Sequence, residues 1–104
     1  MSEVRATAPD RLWLSGSYQR ETLAIHFTWR NRPDQVSAAL TEVEAALAPF
    51  DARPHWGKAS HIQAGQPQRL YPRLDDARAQ FERLDPRGRF SNPRLERLGV
   101  RDPR

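Results

Sequence analysis

Glu21-Thr22-Leu23-Ala24-Ile25-His26-Phe27-Thr28-Trp29 is the stretch on which the fold reading turns. Leu23, Ile25, Phe27 and Trp29 alternate with Thr22, Ala24, His26 and Thr28, which is the two-residue period of a β-strand with one apolar and one small or polar face. His26 lies inside the most apolar strand of the chain, where an imidazole needs a partner or a task. Upstream, residues 2–8 read as a second short strand, with Val4 on one side and Glu3, Arg5 and Thr7 on the other. Ala8-Pro9-Asp10 ends it, Leu12-Trp13-Leu14 is a short apolar anchor, and Ser15-Gly16-Ser17 has turn composition. Glu3 with Arg5, and His26 with Thr28, are co-facial pairs that converge if the two strands are neighbours in one sheet. A solvated outer face of an antiparallel sheet shows the same alternation.

Downstream the period changes. Asn31-Arg32-Pro33-Asp34 opens a helix, with proline suited to its first position and an acid in its first turn. Its apolar stripe is Val36, Ala39, Leu40, Val43 and Leu47, terminated by Pro49. Residues 52–58 read as extended, because proline pushes the residue before it away from helix, and residues 61–69 read as a polar loop. A second helix is expected from about Tyr71-Pro72 to Leu84, with Leu74, Ala77, Phe81 and Leu84 inward. Asp85-Pro86-Arg87-Gly88 fits a type I turn. Asn92 caps a last short helix with Leu95 and Leu98 inside and Gly99 as its stop, and the residues after Arg101 are expected to fray. The fold class is α+β, antiparallel strands with flanking helices.

Composition bounds the function. The chain has 104 residues, 38% of them hydrophobic and 29% charged, with nine prolines, and its mean hydropathy is −0.85. One thin core is therefore expected. Five scattered glycines form no phosphate-binding loop, so a nucleotide cofactor has to be held largely by something else. The absence of cysteine removes disulfides, zinc-thiolate sites and thiol nucleophiles. His26, His55 and His61 lack metal-ligand spacing, and Ser15 and Ser17 lie outside any nucleophile elbow. No leader or membrane span is visible, so the chain reads as soluble, untargeted and cytoplasmic. The net charge of +4 is spread among thirteen acids, a solvated surface more than a nucleic-acid patch. Sixteen of the seventeen basic residues are arginine, and the single lysine is Lys58. Lysine differs from arginine as a compact point charge whose pKa burial moves.

Lys58 closes the densest segment, Arg53-Pro54-His55-Trp56-Gly57-Lys58. This resembles the H-W-x-K signature of the sugar and alditol oxidases of the vanillyl-alcohol-oxidase flavoprotein superfamily, which include the D-arabinono-1,4-lactone oxidases. Ser2-Glu3-Val4-Arg5 is similar to their substrate-binding strand, Leu12-Trp13-Leu14-Ser15 to the W-L-S that follows, and Ala24-Ile25-His26-Phe27-Thr28-Trp29 to the H-F-T-W strand. Asp85-Pro86-Arg87-Gly88-Arg89-Phe90-Ser91-Asn92 resembles the terminal D-P-x-G-x-F-x-N.

The resemblance implies catalytic roles for Lys58 and Arg5. It implies substrate binding by Glu3, Arg5, Thr28 and Lys58, flavin contact by His55, and a wall position for His26. The cofactor would be FAD and the substrate a polyol or aldonolactone, oxidised by hydride transfer to flavin with oxygen as acceptor. Residues 1–61 would end the substrate (cap) domain, and 62–104 would return as a helical tail to complete the FAD domain. The main FAD-binding domain would then lie outside the chain, in cis or in trans, and the chain alone would be an inactive carboxy-terminal fragment. Two other readings stand beside it: a non-catalytic basic binding module, and a subunit working with a separate FAD-domain protein.

Overall fold

A computed structural model describes residues 2–103. The elements are β1 (Ser2–Thr7), β2 (Thr22–Phe27), α1 (Pro33–Leu47), a 3₁₀ turn (Ala48–Phe50), α2 (Gln66–Leu70), α3 (Leu74–Leu84) and α4 (Pro93–Arg97). The architecture is α+β, and the chain divides into two compact units. One comprises residues up to Arg11 with Ser15–His61, and the other Leu12–Leu14 with the residues from Ile62 onward.

In the first unit β1 and β2 form a two-stranded antiparallel sheet. Its register places Glu3 opposite His26, Val4 opposite Ile25, Arg5 opposite Ala24 and Ala6 opposite Leu23. Directly opposed residues share a face, so Glu3, Arg5 and His26 lie together and Val4, Ala6, Leu23 and Ile25 lie on the reverse. That apolar face is largely uncovered, with Leu23 70% and Val4 63% exposed. β2 stops at Phe27, two residues short of the expected end, so Thr28 and Trp29 leave the ladder. The Phe27 and Trp29 rings nevertheless stack with centroids 5.2 Å apart.

The connection between the strands is tied to itself. Asp10 donates its amide to the Ser17 carbonyl at 3.0 Å and accepts from the Gln19 amide at 2.9 Å. The Ser15 hydroxyl bonds the Asp10 carboxylate, and the Thr7 and Ser17 hydroxyls meet at 2.7 Å. Helix α1 follows its expected stripe, although only Leu40 is fully buried and Val36, Ala39, Val43 and Leu47 are half-buried. Pro49 sits in the 3₁₀ turn, where no helical amide is required of it, and Asp51 closes that turn in the left-handed region (φ 50°).

The second unit has the better core, centred on Tyr71, Leu74 and Leu98, each 2% exposed or less. The expected polar loop at 61–69 is corrected by α2. Gly65 enters it with φ 88°, and Pro67 and Leu70 are buried, so two apolar contacts recruit a polar sequence into a helical turn. Helix α3 starts at Leu74, and Leu84 is 70% exposed instead of inward. The Leu12–Leu14 anchor belongs to this unit, with the Arg73 guanidinium 5.0 Å from the Trp13 ring centroid.

The Asp85–Gly88 turn closes with Gly88 N to Asp85 O at 3.0 Å. The Asp85 carboxylate accepts the Arg89 and Phe90 amides, both at 2.9 Å. Asn92 caps α4 by accepting the Leu95 amide at 2.9 Å, and Gly99 ends the helix region at φ 74°. The expected fraying after Arg101 is also corrected. Arg101 is 4% exposed and donates to the Asp85 carboxylate and carbonyl, and Arg78 donates to Asp102. No helix among the described residues is long and apolar enough to cross a membrane.

Candidate functional site

Six residues carry the site expectation, and all of them fall in the first unit. On the polar face of the sheet the Arg5 guanidinium donates to the Glu3 carboxylate at 3.0 Å. Alternation within β1 makes these two co-facial, and the inter-strand register adds His26 across from Glu3. The Glu3–Arg5 pair is exposed, with side-chain accessibilities of 47% and 75%, so it contributes little to stability. Each charge instead holds the other ready to exchange its partner for hydroxyl groups: guanidinium offers several fixed donors, and carboxylate only acceptors. Thr28, expected beside His26, lies one residue beyond the strand and is exposed.

The second group is a turn and not the extended run expected through Lys58. The Lys58 amide donates to the His55 carbonyl at 3.2 Å, so His55, Trp56, Gly57 and Lys58 form a closed four-residue reversal. The Gly57 amide also donates to His55 Nδ1 at 3.0 Å. With Nδ1 engaged as acceptor, the neutral imidazole carries its proton on Nε2 and presents it as a donor. The Lys58 ammonium is exposed and has no ion-pair or hydrogen-bond partner among the described residues. Partial desolvation of Lys58, which its expected role draws on, is therefore not supplied by this chain.

The structure thus assembles Glu3, Arg5 and His26 on one face, and His55 with Lys58 on one turn. No hydrogen bond or ion pair joins the two groups among the described residues. Arg53 and Arg20 were not singled out by the sequence reading. Arg53 Nη1 donates to Tyr18 O at 3.0 Å and to Ser15 O at 3.5 Å, and Arg20 Nη2 donates to Asp51 O at 2.8 Å. The only sequence signal was the position of Arg53 at the head of the dense segment. His61 was likewise passed over: its ring nitrogens meet Ser37 Oγ at 3.2 Å and Thr41 Oγ1 at 3.1 Å, which pins the chain after the turn to α1. No cluster of three or more metal-ligating side chains occurs among the described residues.

Comparison with known proteins bears on this constellation. Residues 2–98 match the family model described as D-arabinono-1,4-lactone oxidase. An alditol oxidase from a Streptomyces species is 46% identical over 96 residues, 92% of this chain and 23% of that protein. An L-gulono-1,4-lactone dehydrogenase of Mycobacterium tuberculosis is 34% identical over 98 residues, 92% of this chain and 22% of that protein. A long-chain alcohol oxidase of an uncultured marine euryarchaeote is 49% identical over 43 residues, 41% of this chain and 9% of that protein. The chain therefore spans about a quarter of the length of the first two relatives. With nearly its whole length, and every segment of the candidate site, inside the matched region, the chain belongs to the D-arabinono-1,4-lactone oxidase family.

Proposed function

We propose that this chain supplies the substrate-facing part of an FAD-linked oxidase that converts a carbinol of an alditol or aldonolactone to a carbonyl. The observation that carries the proposal is the register that sets Glu3 opposite His26 with Arg5 paired beside it. It gathers donors and acceptors on an exposed strand face, as recognition of several hydroxyl groups requires. Alditols are favoured over lactones by the His26-Phe27-Thr28-Trp29 strand and by the higher identity to the alditol oxidase.

Residues 1–61 act as the end of a substrate domain, and 62–104 as a segment completing a flavin-binding domain. FAD fits this chain only at its reactive end. His55 Nε2–H and the Lys58 ammonium are donors suited to an acceptor-rich ring edge, whereas the sequence has no glycine-rich loop for the phosphates. When bound, FAD accepts the hydride, and oxygen then takes both electrons to give hydrogen peroxide. Arg5 and Glu3 orient the polyol by donating to and accepting from adjacent hydroxyls, and the Thr28 hydroxyl adds one contact. His26 walls the site beside Glu3. Lys58 steadies negative charge on the reacting oxygen as its proton leaves, a role that gains strength once a covering domain excludes water. Alone the chain is inactive; assembled, it works in the cytoplasm.

The test is co-expression with a polypeptide comprising the remainder of the Streptomyces alditol oxidase, followed by a peroxide assay on xylitol. Xylitol-dependent peroxide that disappears in Lys58→Ala and in Arg5→Ala is expected. A folded, FAD-loaded complex that oxidises no alditol or aldonolactone refutes the proposal. Salt-dependent DNA binding unaffected by Lys58→Ala would instead support a basic binding module.

A further inference from the structure

We propose that Arg20 and Arg53 form a reciprocal staple that sets the spacing between the two halves of the candidate site, and so serve as its positioning residues. Their purpose rests on the function proposed above; their test does not. The strand face with Glu3, Arg5 and His26 and the turn with His55 and Lys58 share no direct bond among the described residues. What joins them is the β1–β2 connection on one side and residues 51–54 on the other. Each segment sends a guanidinium to the other's carbonyls. Arg20 reaches Asp51 O at 2.8 Å, and Arg53 reaches Tyr18 O at 3.0 Å and Ser15 O at 3.5 Å.

Both ends of the staple are stiff. The connection is closed by the Asp10 bonds to Ser17 and Gln19, carries Tyr18 at 5% exposure, and is fastened to the end of β1 through Thr7 and Ser17. On the other side Pro54, whose φ is fixed by its ring, is the only residue between Arg53 and His55. An anchor at Arg53 is therefore transmitted to the His55–Lys58 turn with little freedom lost between them. Arginine suits the task because its planar fork bonds two carbonyls at once, which an ammonium on a flexible stem does less rigidly.

The chain contains no cysteine, so two introduced cysteines are its only thiol labelling sites. Spin labels on Ala6→Cys in β1 and on Ala59→Cys, an exposed position directly after the turn, report the spacing by double electron–electron resonance. The otherwise unaltered chain is expected to give one narrow distance distribution. Arg53→Ala and the double variant Arg20→Ala/Arg53→Ala are expected to broaden it at least about twofold, and Arg53→Lys to fall between. A double variant that keeps its helical circular dichroism and its narrow distribution overturns the proposal. If that variant unfolds, narrow distributions in both Arg53→Lys and Arg20→Ala overturn it equally.

In the assembled peroxide assay, Arg53→Ala is expected to lower kcat/KM for xylitol by about 10²-fold, with KM raised, since small displacements of positioned groups carry costs of that order. A merely structural loss would lower apparent kcat in proportion to folded protein and leave KM alone. Absence of peroxide before any arginine is altered would count against the proposed function, while the distance measurement still decides the staple.

Discussion

Gly99→Ala separates two costs that the structure distinguishes. Gly99 follows α4 at φ 74°, and a Cβ there would land against Gln68 Nε2, with Gln68 Cδ 3.6 Å away. Gln68 Nε2 donates to the Leu98 carbonyl at 3.3 Å. The left-handed backbone costs a non-glycine residue ~1–2 kcal/mol, partly offset by the reduced freedom of the unfolded chain. Displacing Gln68 forfeits its bond, ~0.5–1.5 kcal/mol. The sum is a destabilisation of about 2 kcal/mol. Gly65 provides the control: it has φ 88° and nothing within 4 Å of an added Cβ, so Gly65→Ala carries only the backbone part, ~1 kcal/mol.

Urea unfolding followed by circular dichroism measures all of these variants. Gln68→Ala made in the Gly99→Ala background removes the collision, so the double variant should fall short of the summed single costs by about 1 kcal/mol. Equal losses for Gly99→Ala and Gly65→Ala, together with strict additivity of the Gln68 change, would refute the assignment.

Three further predictions follow the same geometry. The Phe90 amide, with smaller contributions from the Arg89 amide and Arg101, holds the Asp85 carboxyl below its ordinary value. The unfolded chain therefore binds the proton first as pH falls. The stability from Asp85 is fully present above about pH 4 and lost as pH drops through the folded value, a slope that urea midpoints between about pH 2.5 and 6 should show flattened in Asp85→Asn. Leu98 is fully buried, so Leu98→Ala should cost ~2–5 kcal/mol by denaturant unfolding, at the low end if Leu74 and Tyr71 collapse into the space. Lys58 has no partner among the described residues, so Lys58→Met should leave stability within about 0.5 kcal/mol. A larger loss would show that the ammonium is part of the fold.

Much of this protein was legible in local chemistry. The alternation through β1 and β2, the proline at the start of α1, the Asp85–Gly88 turn, and the Asn92 cap with its Gly99 stop each follow from a residue whose backbone preference or side-chain reach acts over only a few positions. The co-facial Glu3 and Arg5 are of the same kind, because strand geometry alone brings them together. Helix α2 was hidden because nothing polar in Gln66–Leu70 favours a helix; burial of Pro67 and Leu70 decided it. Leu84 looked inward by period yet is exposed, because helical spacing defines a stripe and neighbouring elements determine how much of it is covered.

By itself, then, the sequence determined the elements, the two polar strand residues, the dense segment around Lys58 and the family resemblance. Only the tertiary structure decided that His26 faces Glu3, that His55 and Lys58 close one turn, and that Arg20 and Arg53 tie that turn's approach to the strand connection. These are contacts between residues far apart in the chain, or a backbone reversal that proline and glycine merely permit. Pairing register and long-range carbonyl capture depend on where distant segments come to rest, which no local preference encodes.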